Sequence, residues 1–600
     1  MLREIKSVFG LLDLRERNKA GLLVLLILVS GIIDVVGVSS IMPFIAVLSN
    51  PELLYENKVI ASYLGFLKIT DENTALIYLG ITVFLILICS LCLKAATQYA
   101  LLQFSIGRES SIGKRMIEGY LQQPYEYFLM NTSSDIGKNI LSEINMIIHQ
   151  SVVPLFNFLA YATIVITFLI VLIWIDPYLA MIIGMVVGGT YLFISLFFHG
   201  LLKKFGATRF QANQERFKIV SEAFNAIKEI KLRNLEASYV SQFANSSDIF
   251  VKFQAKGQLI SQLPRYILEG IAFGGMILMV LFLLNEKGGF ENSLPIITLY
   301  ALAGYRLMPS IQQIYYAISQ LKFSSPALCS LHQNLISLNA TQKQEPSLDF
   351  SNKFKFDNEL RLNDLSFRYQ DSNSYALKNI DLVIKAKSTV GIVGRTGSGK
   401  STILDLVLGL FRPSSGNISI DGNALNEKSF PFFQANIGYV PQSIYLSDKS
   451  IAQNIAFGEE TIDMKRVEEA AKAASLHDFI LNESPQQYGT LVGERGVRLS
   501  GGQIQRIGIA RALYKNPQIL LFDEATSALD NVTEKSVMES INLLSGNITI
   551  IMIAHRLTTI RNCDQVVFLE RGEISAVGSY DYLIKNSADF QNFVTSDIGE

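Results

Sequence analysis

Cysteine is nearly absent from this chain of 600 residues: there are four, alongside five histidines. Four thiols make no disulfide framework. Cys89 and Cys92 are spaced C-x-x-C but sit in an apolar helical run, without the polar surroundings or further ligands that redox or metal chemistry needs. They read as small apolar core residues. Charge is also scarce. Asp, Glu, Lys and Arg make up 18% of the chain and cancel to a net −1, which excludes a global pull towards nucleic acid or an anionic membrane. A secretory signal is missing, since Arg3, Lys6, Arg15 and Arg17 precede the first apolar run without a small-residue cleavage site. So little chain precedes that run that no separate N-terminal domain, such as a peptidase, is expected.

What is abundant is apolar. The chain is 49% hydrophobic with a mean hydropathy of +0.30, too apolar for an ordinary soluble protein of this size. Six runs near the ~20 residues needed to cross a bilayer fall at 20–48, 75–104, 150–175, 178–202, 264–284 and 293–318. Trp174 and Tyr178 flank the Asp176-Pro177 turn, as aromatics do at a membrane interface. Two of the intervening segments, 105–149 and 203–256, are long and rich in Lys and Arg, while the others are short or poor in them. By the positive-inside rule the basic segments and both termini are cytoplasmic, in a plasma or inner membrane. Both segments have helical character, so spans two to five are expected to continue into the cytoplasm and to turn near 122–131 and 223–235. The loop 51–74 carries Leu53, Tyr55, Val59, Ile60, Tyr63, Leu64 and Leu67 at near-helical spacing, which suits either an amphipathic helix on the outer face or one packed on the spans.

The pattern changes near residue 340. Residues 339–357 are polar, contain Pro346, and read as a linker between a membrane domain at 1–338 and a second domain at 358–595. In the second domain short apolar β runs at 389–393, 437–440, 519–522, 548–553 and 565–569 alternate with helices. The fold class is therefore an all-α transmembrane domain followed by an α/β nucleotide-binding domain.

The strand 390–393 leads into Gly394-Arg395-Thr396-Gly397-Ser398-Gly399-Lys400-Ser401, which opens a helix at Lys400-Ser401-Thr402. Glycines let backbone N–H groups approach phosphates, Lys400 reaches the β- and γ-phosphates, and the Ser401 hydroxyl suits Mg²⁺. The run Ile519-Leu520-Leu521-Phe522-Asp523-Glu524 is an apolar strand ending in two acids. It delivers Asp523 to the metal and Glu524 to the attacking water as general base.

Leu499-Ser500-Gly501-Gly502-Gln503 then makes the chain resemble the ATP-binding cassette proteins, whose LSGGQ signature caps the γ-phosphate of ATP held by another cassette. The resemblance covers 358–595 and implies ATP and Mg²⁺ as ligands. It also implies roles for residues outside the phosphate loop. Tyr369, in Leu365-Ser366-Phe367-Arg368-Tyr369, would stack on adenine. Gln442, in Tyr439-Val440-Pro441-Gln442, would link Mg²⁺ and water to the membrane domain. Asp530, in Ser527-Ala528-Leu529-Asp530, would signal between cassettes, and His555 would contact the γ-phosphate. Ile504 departs from the pattern, because the family usually carries Lys or Arg after the signature. One cassette per chain and a site that needs two imply a homodimer, with a heterodimer left open. Fusion of six spans to the cassette resembles the exporter type, whose cytoplasmic turns act as coupling helices.

Charges inside the spans bear on the cargo. Asp34, Lys94, Arg265, Glu269 and Arg306 each cost a few kcal/mol to insert, about 2.5–3.5 on insertion scales, and tend to face a cavity or a partner. Lys94, Arg265 and Arg306 at different depths suit an anionic head group. Against this, Arg265 and Glu269 are spaced to pair on one helix face, and Lys94 is able to snorkel. The segments Pro264-Arg265-Tyr266-Ile267-Leu268-Glu269-Gly270 and Tyr305-Arg306-Leu307-Met308-Pro309-Ser310 resemble the bacterial lipid-linked oligosaccharide flippases of protein glycosylation, as does the loop 51–74. That resemblance implies a polyprenyl-diphosphate-linked glycan as substrate, with no nucleic-acid partner. Export of lipid A, another phospholipid, a drug or a peptide stays open. A soluble repair or translation ATPase is opposed by the six spans, and an ATP-gated channel is not excluded.

Overall fold

A computed structural model describes residues 2–49, 71–175, 177–285, 290–341, 356–370, 372–523, 539, 546–554 and 560–598. The chain divides into two compact units. One comprises Met1–Gln123 and Tyr127–Lys343, and the other comprises Pro124–Glu126 and Gln344–Glu600.

Among its described residues the first unit is helical. A short helix α1 (Leu2–Leu11) precedes six long ones: α2 (Leu14–Ser39), α3 (Glu72–Leu121), α4 (Val153–Ile175), α5 (Pro177–Asn225), α6 (Glu236–Asn285) and α7 (Phe290–Thr341). Capping sets several starts. Asp13 and Glu16 form a capping box at the head of α2, and the Asp71 carboxylate accepts from the Thr74 backbone N–H at 3.0 Å at the head of α3. The expected first span is not one helix, since α2 stops at Ser39 and a separate helix runs Ile41–Ser49. The turns expected near 122–131 and 223–235 carry short helices, Tyr125–Met130 and Ile227–Arg233, the latter ended by Asn234 in the left-handed region. Helix α7 continues to Thr341, into the start of the expected linker. Residues 342–355 and the outer loop 51–70 lie outside the described residues.

Among the described residues three stretches are long and apolar enough to cross a membrane: Leu14–Ile45, Asn73–Leu121 and Ser133–Trp174. Their outward faces are apolar, with Phe84, Leu85, Ile166, Ile170 and Trp174 all exposed. Such a surface is unfavourable in water and suited to lipid. The interior holds two apolar clusters, one around Leu101, Met116, Ile148, Phe156 and Leu328, the other around Val35, Ile164, Phe168 and Leu307.

The second unit holds two sheets. A four-stranded antiparallel sheet has the order β2-β1-β4-β5, from β1 (Glu359–Phe367), β2 (Leu377–Lys385), β4 (Ser415–Ile420) and β5 (Asn423–Ala424). A six-stranded sheet has the order β10-β9-β3-β8-β7-β6, from β3 (Thr389–Gly394), β6 (Ile437–Val440), β7 (Ile519–Asp523), β8 (Thr549–Ile553), β9 (Gln565–Glu570) and β10 (Glu573–Gly578). Strands β3, β7 and β8 are almost wholly buried, which explains their unbroken apolar runs.

Candidate functional site

Strands β9, β3, β8, β7 and β6 run parallel, so their C-terminal ends share one edge of the sheet. Open parallel sheets bind ligands at that edge. Here β3 ends in Gly394, β7 ends in Asp523, and β6 leads through Pro441 to Gln442.

After β3 the chain turns into helix α8 (Lys400–Val407). Gly399 sits at φ +103°, and a Cβ there would lie 2.5 Å from Leu377 Cδ2. Gly394, at φ +152°, would place a Cβ 2.3 Å from the Leu569 carbonyl oxygen. No other residue fits either position, so the sequence folds into a tight loop whose backbone is open to a ligand. Arg395, Thr396, Gly397 and Ser401 are exposed, while Ser398, Lys400 and Thr402 are buried. The Lys400 ammonium donates to the carbonyls of Gly394 at 2.8 Å and Arg395 at 3.1 Å, so it folds back over its own loop. The Ser398 hydroxyl is buried without a hydrogen-bond partner among the described residues.

Two side chains beside this loop escaped the sequence reading. Burial, and then the nearby negative Asp523, push the Asp405 carboxyl up to about 6. Burial, followed by Asp523 and Asp405, also raises the Tyr439 phenol. An acid inside the apolar run Ile403-Leu404-Asp405-Leu406-Val407 was the available signal for Asp405. An orphaned hydroxyl, no room for a Cβ at Gly394 or Gly399, a lysine on its own carbonyls and crowded carboxylates together fit a polyphosphate with a divalent cation.

Tyr369 stands next to α8, its hydroxyl 3.1 Å from Thr402 Oγ1 and its ring 4.9 Å from that of Phe367 and 5.6 Å from that of Phe411. Ser500 caps helix α9 (Gly501–Leu513). Its hydroxyl accepts from the Gln503 N–H at 3.3 Å, and its own N–H donates to the Gln503 side chain at 2.8 Å. Ser500 and Gly501 are exposed, whereas Leu499 and Ile504 pack against the core around Ile507, Ile480 and Val492. The exposed first turn of α9 thus offers backbone N–H groups, and Ile504 faces away into apolar packing. Glu524, Asp530 and His555 lie outside the described residues.

In the membrane unit two of the three basic candidates have an acidic partner. Lys94 pairs with the buried Asp34 at 3.0 Å, and Arg265 pairs with Glu269 at 2.7 Å. The Arg306 side chain lies outside the described residues. Arg265 does line a cavity of about 300 Å³, together with Tyr191, Gln262, Gln312, Gln313 and Tyr315 among others. The Tyr191 hydroxyl is buried there without a hydrogen-bond partner among the described residues. The polar cluster Gln312-Gln313-x-Tyr315-Tyr316 in a long helix was a legible signal, passed over in favour of charge.

Two family models match the chain, one described as ABC transporter transmembrane region over residues 21–308 and one described as ABC transporter over 377–527. The chain is 30% identical over 498 residues to the leukotoxin export ATP-binding protein LtxB of Aggregatibacter actinomycetemcomitans, covering 80% of this chain and 67% of that protein. It is 32% identical over 397 residues to the alpha-hemolysin translocation ATP-binding protein HlyB of Escherichia coli O157:H7, covering 66% and 55%. It is 43% identical over 236 residues to the leukotoxin translocation ATP-binding protein LktB of Mannheimia glucosida, so the match spans only 33% of that relative. A solved structure of a bacterial Atm1-family ABC exporter with ATP bound superposes with a TM-score of 0.75 at 21% identity, covering 97% of this chain and 98% of that one.

Proposed function

The chain belongs to the ABC transporter family, as an exporter half-transporter that couples ATP hydrolysis to transport across a membrane; within that family we propose that it flips an amphipathic anionic lipid, a polyprenyl-diphosphate-linked oligosaccharide, from the cytoplasmic to the outer leaflet. The observation that carries the cargo reading is the tyrosine- and glutamine-lined cavity in the membrane unit. Phenol and amide groups lining one cavity suit a hydroxyl-rich sugar, and aromatic faces suit its C–H surfaces. Arg265, held by Glu269, and Arg306 would face the diphosphate, while Lys94, tied to Asp34, contributes less.

The working unit is a homodimer with cytoplasmic termini. In each site Lys400 leaves the Gly394 and Arg395 carbonyls for the β- and γ-phosphates of ATP, the loop N–H groups hold the remaining oxygens, and Tyr369 meets the adenine. Ser401, Asp523 and Gln442 would hold Mg²⁺, which supplies charge neutralisation between the phosphates. Glu524 takes the proton of the attacking water, His555 contacts the γ-phosphate, and Ser500 to Gln503 of the second copy close over it. Asp530 relays between the two cassettes.

A second reading, export of a protein or peptide, is favoured by the relatives named for leukotoxin export and alpha-hemolysin translocation. Purified protein in liposomes decides between them. Flipping of a fluorescent polyprenyl-diphosphate glycan with ATP, absent in Glu524→Gln, is expected. ATPase stimulation by an unfolded polypeptide, with no glycolipid movement, would overturn the flippase reading.

A further inference from the structure

We propose that Tyr439 is a positioning residue for the divalent-metal site, its hydroxyl holding the Asp523 carboxylate in the orientation that meets the ion. The proposal rests on the assignment of Asp523 to Mg²⁺ above. In the parallel ladder Tyr439 pairs with Leu521 and Val440 with Phe522. Side chains alternate between faces along a strand, so Leu521 and Asp523 lie on the same face as Tyr439. That face is the one covered by α8, because Tyr439 packs with Leu521, Ile403, Leu404 and Val407 in one apolar cluster. Asp405 follows Ser401 by four residues on α8 and therefore lies one turn behind it on the same helix face.

Asp523 is the diagonal same-face neighbour of Tyr439 across the ladder, a separation that an aromatic side chain spans, and the charges of Asp523 and Asp405 add to the upward shift that burial gives the phenol. Asp405 in turn feels Asp523. One O–H donor thus stands among two carboxylates that repel each other. A phenol is a donor that stays protonated at neutral pH, so it satisfies Asp523 without competing for the metal. Removing it leaves Asp523 free to turn and leaves its repulsion with Asp405 unrelieved. Groups that orient a metal ligand from behind carry about 10–100-fold in metal affinity.

The test uses the full-length purified protein with ADP and Mn²⁺ as the probe ion, its binding followed by electron paramagnetic resonance. Tyr439→Phe keeps the ring and its packing. It is expected to weaken Mn²⁺ binding about 10-fold or more, while ADP affinity measured in EDTA stays at the wild-type value. Unchanged Mn²⁺ affinity overturns the proposal, and so does a parallel loss of metal-free ADP binding, which marks a role in folding alone. Asp523→Asn separates the two layers of the argument. If it abolishes Mn²⁺ binding while Tyr439→Phe does nothing, the tyrosine role alone fails. If it too leaves Mn²⁺ binding intact, the metal assignment fails and takes the proposal with it.

Discussion

Lys400 and Ile504 mark two kinds of residue in the nucleotide-binding unit. Lys400 spends its ammonium on two carbonyls of its own loop, at 2.8 and 3.1 Å, a poor substitute for phosphate oxygens. Lys400→Ala is therefore expected to lower ATP turnover by about 10²–10³-fold, with the far-UV circular dichroism spectrum unchanged; full activity would remove Lys400 from the site. Ile504 stands where relatives of this class usually place a base, yet its side chain packs on the apolar core beside Gly496. Ile504→Lys is expected to cost about 1 kcal/mol of thermal stability and to leave ATP turnover within a few fold. A loss as deep as that of Lys400→Ala would show that this position touches the reaction. The phosphate loop, Asp523 and the signature were legible in the sequence because their chemistry needs fixed residues at fixed spacing. Tyr439 was not, because its significance depends on which strand lies beside β7, and the linear sequence does not display that neighbour.

At the scale of elements, the membrane unit is held by buried ions as well as by apolar contact. Glu143 lies at the end of a π-helical segment, Asn139–Glu143, and a second such segment spans Ile148–Val152. Arg209 on α5 reaches Glu143 at 3.1 Å, and Asn213 donates to the same carboxylate at 2.7 Å. Arg209 also sits over the Phe250 ring of α6 at 4.8 Å. Both ions are almost fully buried, so truncating one strands the other. Glu143→Ala is expected to cost about 3–5 kcal/mol, read as a fall in thermal midpoint, while Glu143→Ala with Arg209→Met recovers part of it. A second buried tie joins α1 to α7, where Lys322 and Ser325 donate to Glu4 at 3.1 and 3.3 Å. Burial opposes ionisation of Glu4, but its hydrogen bonds and the Lys322 charge outweigh that and hold its carboxyl down to about 2. A carboxyl depressed in the folded state stabilises above its unfolded value near 4.5 and loses that contribution as pH falls towards 2. The midpoint of the wild type should therefore drop more steeply than that of Glu4→Gln across this window, and equal slopes would remove Glu4 as the cause. The long helices themselves were legible from apolar length. The break at Ser40, the π segments and these ion pairs were not, since they depend on which helix faces meet.

For the whole molecule, the decisive question is whether one chain completes its own nucleotide site. The phosphate loop and the signature are both intact, and they lie on separate elements, the first on β3–α8 and the second at the head of α9. A homodimer with twofold symmetry brings the loop of each copy to the signature of the other, giving two equivalent sites. Lys400→Ala and Ser500→Arg should then each be inactive as pure dimers. The first lacks the phosphate cation in both sites, and the second places a bulky charge on the capping turn of both. Mixed in equal amounts during expression, half of the dimers carry one chain of each kind. In such a dimer one site receives both defects and the other receives an intact loop and an intact signature. With independent sites the mixture should regain roughly a quarter of wild-type ATP turnover. A mixture no more active than either parent would exclude independent sites shared between copies. Recovery of ATP turnover without recovery of transport would show that one closure per cycle is enough for hydrolysis but not for transport.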